Sequence, residues 1–405
     1  MNDSRPPIDL LRLRESDLSF ELGGPAYRLM QRVGVIKGAG PSVLRRSIAF
    51  VAITWLPLLI FTALEGHLLG PTPRSAFLLD FTTYARFFLA VPLVFAAEKV
   101  VGPRMRSAGL RFIQADIVRP ESHSEFAAAV DRAQRRREAY LPEIIFMAIA
   151  VCSVWFLSIE RVAGLGAVTW HAIWVNGEYQ LSAAGLWYNF VATPLVQFFA
   201  LRWVWRLVIW TLFLWDVSRL RLNLLATHTD MAAGLGFLGV AHVSMAIFPF
   251  AVGCILSAEV AFRARFESLE LTALQSMTPL LFAYLLFVEF VSFGPLLIFL
   301  PLLARTRLEG LRSYGMLVQQ HNQLFHDKWI GGNRPDDETP LGNPDMSSLV
   351  DLGSSFTVVR QMNIVPVGAT QLIQVAIVAC LPGLPLLFLV LPFKEVLKLL
   401  IGVIR

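Results

Sequence analysis

The sequence predicts an all-α fold: a polytopic transmembrane helical bundle of about six to seven spans, with cytosolic helical segments and a short outer hairpin. Three observations predict it. Hydrophobic residues make up 55% of the 405-residue chain and charged residues only 16%, against about 25% charged in a soluble domain. Seven apolar runs each approach the roughly 20 residues that cross a bilayer. Basic residues gather in alternate polar stretches, the pattern of a multi-spanning chain.

The chain divides accordingly. Residues 1–46 form a polar N-terminal segment with no signal-like apolar core, so the first span is expected to act as its own insertion signal. Within it, Pro25 opens a short helix whose Leu29, Val33 and Ile36 fall on one side, suited to a membrane surface or to the protein body. Residues 47–97 hold the first two spans, Ser47–Leu64 and Phe81–Ala97. Residues 98–140 read as two polar helices broken at Pro120. Residues 141–304 hold four more spans, Leu141–Ile159, Leu186–Trp215, Leu235–Ala258 and Pro279–Leu303, with an outer hairpin signalled by Asn176-Gly177. Residues 305–365 continue the sixth span as a helix to about Trp329, followed by a turn-rich loop and a further segment near Leu349–Met362. Residues 366–405 contain a seventh apolar segment, Val367–Leu391, broken at Cys380-Leu-Pro-Gly-Leu-Pro385, which reads as a span or a re-entrant hairpin before an amphipathic tail.

Placing the N-terminus in the cytosol puts 25 Lys and Arg in cytosolic stretches and four in outer loops. This bias predicts a cytosolic N-terminus. The three cysteines, Cys152, Cys254 and Cys380, lie in apolar runs without metal-binding spacing, so neither a zinc site nor a disulfide framework is expected. No P-loop, hydrolase elbow or zinc-protease helix is present, and the net charge of +5 does not point to nucleic acid.

The densest polar cluster is His228-Thr229-Asp230, followed by Gly234-Leu-Gly-Phe-Leu-Gly239. The glycines match a dinucleotide fingerprint in spacing, but a helix precedes them where a strand is required. Ala232 and Gly236, with Gly234 and Gly239, are better read as a hinge with small residues for close helix packing. Thr229 or Asp230 is suited to cap the following helix, and His228 with Asp230 makes an alternative proton-transfer pair at the cytosolic mouth. A metal site would need ligands that the remaining histidines are not spaced to give.

Three stretches together carry a resemblance: Phe20-Glu-Leu-Gly-Gly-Pro-Ala-Tyr27, Thr227-His-Thr-Asp-Met-Ala-Ala-Gly-Leu-Gly-Phe-Leu-Gly239, and Ser348-Leu-Val-Asp-Leu-Gly-Ser-Ser-Phe-Thr-Val-Val-Arg360. In this order the chain resembles a widespread family of uncharacterised bacterial multi-pass inner-membrane proteins. It departs from the pattern at Thr229, where a proline is expected. The resemblance implies a polytopic protein of the bacterial inner membrane and no activity.

Charges inside spans carry the functional expectation. Glu289 lies near mid-bilayer in the sixth span, and Arg202 and Arg206 lie one turn apart in the fourth. Each costs roughly 2.5–3.5 kcal/mol at that depth, so a partner or an aqueous path is expected. Similar depth suggests Arg202 and Glu289 as the pair. Arg135, Arg136 and Arg137 suit lipid headgroups. The chemistry points to an ion or small-solute pore or transporter, homo-oligomeric and without a cofactor. A scaffold or signalling component recruiting a cytosolic partner is the alternative, and a lipid-directed enzyme using His228 and Asp230 is a third.

Overall fold

The computed structural model describes residues 18–36, 42–164, 169–175, 178–267, 278–333, 335 and 338–386. The chain is a helical bundle in which five helices are long and apolar enough to cross a membrane: α2 (Val43–Leu64), α6 (Ala183–Ser218), α7 (Gly236–Phe266), α8 (Thr278–Ile330) and α10 (Ala369–Leu386). It is a multi-pass membrane protein. The two other expected spans are helical but differ in kind. Phe81–Ala97 is the first part of a helix over residues 81–114, α3, which carries on into polar sequence. Leu141–Ile159 lies within α5 (Tyr140–Gly164), of which Tyr140–Val154 is a shorter apolar helix.

Local sequence sets the helix ends. Pro25 sits in the first turn of α1 (Pro25–Arg32), after Gly23 and Gly24 at φ of +110° and +89°. Asp80 starts α3, its carboxylate accepting from Thr82 N and Thr83 N, as an N-cap does. Pro120 breaks the polar stretch before α4 (His123–Glu138). The strands β1 (Ala172–Val175) and β2 (Glu178–Leu181) pair antiparallel, Val175 opposite Glu178, so the expected hairpin is present. Its Asn176-Gly177 turn falls outside the described residues, as does the tail beyond Leu386.

The sixth span continues to Ile330 without a break in helicity, 53 residues in all. Gly294 and Pro295 open a tighter turn, Gly294–Phe299, in mid-course, because proline removes a backbone donor. Helix α9 (Pro344–Gln361) then folds back along α8 and makes a two-helix arm.

Helix α5 packs along α6, and α10 lies against α7 and α8. A chain of rings, Phe20–Phe213–Phe126–Phe112–Phe237, ties the N-terminal segment to α6, α4, α3 and α7, with centroids 5.3–6.3 Å apart. The main core is therefore at the end of the bundle bearing the N-terminal segment. A second core of Phe50, Leu58, Phe77, Phe87, Phe95 and Trp170 fills the hairpin side.

Candidate functional site

Gly23 and Gly24 turn the N-terminal segment so that it enters the polar end of the bundle and ends there in a buried charge network. Arg46 on α2 bonds Glu98 on α3 twice, at 3.0 and 2.5 Å, with 2% and 4% of the two residues exposed. Arg206 on α6 reaches the same Glu98 at 3.3 Å. One turn earlier, Arg202 donates to Glu143 at 2.9 Å and to the Gly23 carbonyl at 3.2 Å, while Glu143 also accepts from Ala26 N at 2.6 Å. Glu21 pairs with Arg106 and accepts from Ser19 Oγ. Arg46 and Arg206 thus share Glu98, Arg202 faces Glu143 and Arg106 faces Glu21, four arginines to three glutamates. Charges taken out of water need such partners.

The expected Arg202–Glu289 pair does not form. Arg202 faces α5 and the N-terminal segment, whereas the helix of Glu289 packs against α10 and α7. Depth read from hydropathy does not say which side chains meet, since a helix turns by about 100° per residue.

Glu289 is therefore left with neither carboxylate oxygen bonded among the described residues, although both atoms are buried. One turn on, Ser292 Oγ is buried and likewise unbonded. His242, outside the sites expected from sequence, sits nearby as a fixed group. Trp210 Nε1 donates to its Nε2 at 2.9 Å, which leaves Nδ1 to carry the proton and donate to the Ser292 carbonyl at 2.6 Å. The signal for His242 was an imidazole inside the apolar run Val240-Ala-His-Val243.

The hinge is built differently from its expectation. Ala232 and Gly234 lie in a loop, and α7 begins only at Gly236, so Ala232 and Gly236 share no helix face. Met231, Ala233 and Gly234 have φ of +54°, +55° and +98°. This alternating backbone gathers N–H groups into a concavity that favours an anion. The anion is Asp230, which accepts from Ala232 N and Gly234 N through Oδ1 at 2.9 and 3.1 Å, and from Gly236 N through Oδ2 at 2.8 Å. His228 Nδ1 lies 2.8 Å from Oδ1. The glycine run holds its own carboxylate where a phosphate-binding loop would hold a ligand. Close packing does occur at Gly239, where a Cβ would lie 2.4 Å from the Pro366 carbonyl. Asn363 N bonds Met231 O at 2.7 Å beside it.

Partial burial works against the charge on Asp230, but the three N–H donors and His228 outweigh it and hold the carboxyl below its ordinary value. Its contribution is complete above the ordinary carboxylate range and is lost as pH falls through the lowered value. Asp230→Ala should cost about 0.5–2 kcal/mol, as loss of a helix cap does. In thermal melts in detergent the difference from wild type should shrink on acidification; a constant difference would contradict this account.

The basic run turns inward in part. Arg135 pairs with Asp131 on its own helix, and Arg136 lies 3.7 Å from Asp216. Arg137 bonds Glu138 and the Ser19 carbonyl, which corrects the headgroup expectation for that residue, because the N-terminal segment covers it. Among the described residues no group of three His, Cys, Asp or Glu is placed to hold a metal ion. A surface cavity of about 330 Å3 lies beside the Arg74–Glu267 pair, and another of about 370 Å3 lies in the arm beside Asn322 and His326.

No family model, curated protein or solved structure matches this chain.

Proposed function

We propose that this membrane protein transports a cation or a proton across the bacterial inner membrane, with Glu289 as the ion-binding carboxylate. The carrying observation is that both Glu289 oxygens are buried in a spanning helix with no hydrogen-bond partner among the described residues. An intramembrane carboxylate in that position needs a proton or a cation to balance it. Arg202 does not serve, being committed to Glu143. His242 does not serve either, because its one lone pair is occupied by Trp210. Ser292 Oγ, one turn on along the helix and unbonded among the described residues, is an oxygen for the same ion. The excess of 25 Lys and Arg over four supports a cytosolic N-terminus, charge network and arm.

The test is flux into liposomes containing the purified protein, under proton and alkali-cation gradients. Wild type should conduct, and Glu289→Gln, which keeps the shape and removes the charge, should lower the rate at least tenfold. Absence of wild-type flux under every gradient, or an unchanged rate in the folded variant, would sink the proposal.

A scaffold that recruits a cytosolic partner is supported by the exposed arm, and predicts one stoichiometric co-purifying protein. The lipid-directed enzyme has less support, since Asp230 is engaged by three backbone donors.

A further inference from the structure

We infer that the two-helix arm pairs with the same arm of a second copy of this chain, through a strip of α8 made of Ser313, Met316, Leu317, Gln320 and Leu324. The inference is independent of what the protein transports.

Contacts with α9 fix which way α8 is turned. A Cβ at Gly310 would meet Val359, and one at Gly315 would lie 3.8 Å from the Phe356 ring. His321 Nε2 lies 3.3 Å from Ser348 Oγ, and Lys328 bonds Asp345 at 2.8 Å. The strip runs beside that side, with Met316 and Gln320 turned farthest from it, and all five of its residues are exposed. Met316, Leu317 and Leu324 are 68%, 49% and 64% exposed.

Lipid does not account for this exposure. Arg305, Arg307, Glu309 and Arg312 separate the apolar part of α8 from the strip, so the strip lies beyond the membrane face. A helix from Arg305 to Ile330 rises about 40 Å.

Beyond Arg312 the composition changes. Residues 313–326 contain no Asp, Glu, Lys or Arg, whereas about 25–35% of a soluble surface is normally charged. The identity of the partner follows from this chemistry. A two-fold axis brings each residue near its own copy, where a charge would repel itself. Aliphatic, hydroxyl and carboxamide groups pair with their own kind, since an amide both donates and accepts. Two copies in one bilayer also hold their arms parallel. Positions 313, 317, 320 and 324 follow a four-three-four spacing with leucines seven apart, the seam of a parallel pair of helices. A partner recognised by charge would find nothing to bind on this strip.

The test uses the full chain with Cys152, Cys254 and Cys380 replaced by alanine. Leu317→Cys and Leu324→Cys should each give a disulfide-linked dimer under mild oxidation in native membranes, at least fivefold faster than Gln319→Cys on the other flank of the helix. In nanodiscs or mild detergent, wild type should have the mass of a dimer, and Leu317→Glu with Leu324→Glu should have that of a monomer with unchanged melting temperature. Three results would each overturn the inference: cross-linking no faster than at position 319, a wild-type monomer, or a dimer that survives both glutamates. So would protection of the introduced cysteines by a different co-purifying protein.

Discussion

Glu98→Ala should destabilise the folded chain by about 3–5 kcal/mol, the usual effect of removing one partner from a buried ion pair. Its carboxylate is shared by Arg46 and Arg206, at 2.5 and 3.3 Å, so its loss strands two buried guanidinium groups. Arg46→Ala should cost less, because Glu98 then remains with Arg206. The triple variant Arg46→Met, Glu98→Leu, Arg206→Met should recover most of the loss, since apolar residues of similar volume often replace a buried charge cluster at no net cost. The double variant that keeps Arg206 should recover less. Thermal and denaturant unfolding in detergent would rank the four. If Arg46→Ala were as damaging as Glu98→Ala, the shared role of Glu98 would be wrong.

Gly239→Ala should also be disruptive, for a steric reason. The added methyl would sit 2.4 Å from the Pro366 carbonyl and 3.3 Å from Val367 Cα, both backbone atoms that cannot rotate aside. Overpacking of this kind costs about 1–3 kcal/mol. Because Asn363 N bonds Met231 O in the same contact, protease access at residues 362–367 should rise with the loss of stability. Gly353→Ala is the matching control. It lies within α9 with nothing inside 4 Å of the new Cβ, and helix propensity predicts a small gain, about 0.5–1 kcal/mol. Equal behaviour of the two alanines would remove the close approach as the cause.

Much of the hinge was legible in part. An aspartate ahead of an apolar helix announced a cap, and Asp230 caps Gly236 N from six positions away. The glycines announced unusual backbone, but the left-handed conformations also fall on Met231 and Ala233, which no residue preference would have suggested. The three stretches Phe20–Tyr27, Thr227–Gly239 and Ser348–Arg360 were separate in sequence. Folding brings the second against the connection that follows the third, through Met231 with Asn363 and Gly239 with Pro366. The first closes over Arg202 and Glu143.

The sequence by itself determined which segments are helical and apolar, where polar helices interrupt them, that a hairpin lies between α5 and α6, and that the sixth span runs on into an arm. These depend on local composition, on proline and glycine, and on the length needed to cross a bilayer. The tertiary structure alone decided partnership. A helix turns by about 100° per residue, so hydropathy gives the depth of Arg202 and Glu289 but not the direction in which either points. Packing of α5 and the N-terminal segment against α6 gave Arg202 to Glu143. Among the described residues Glu289 has no hydrogen-bond partner within its span, and that is the reason it, and not the arginines, is the candidate ion site.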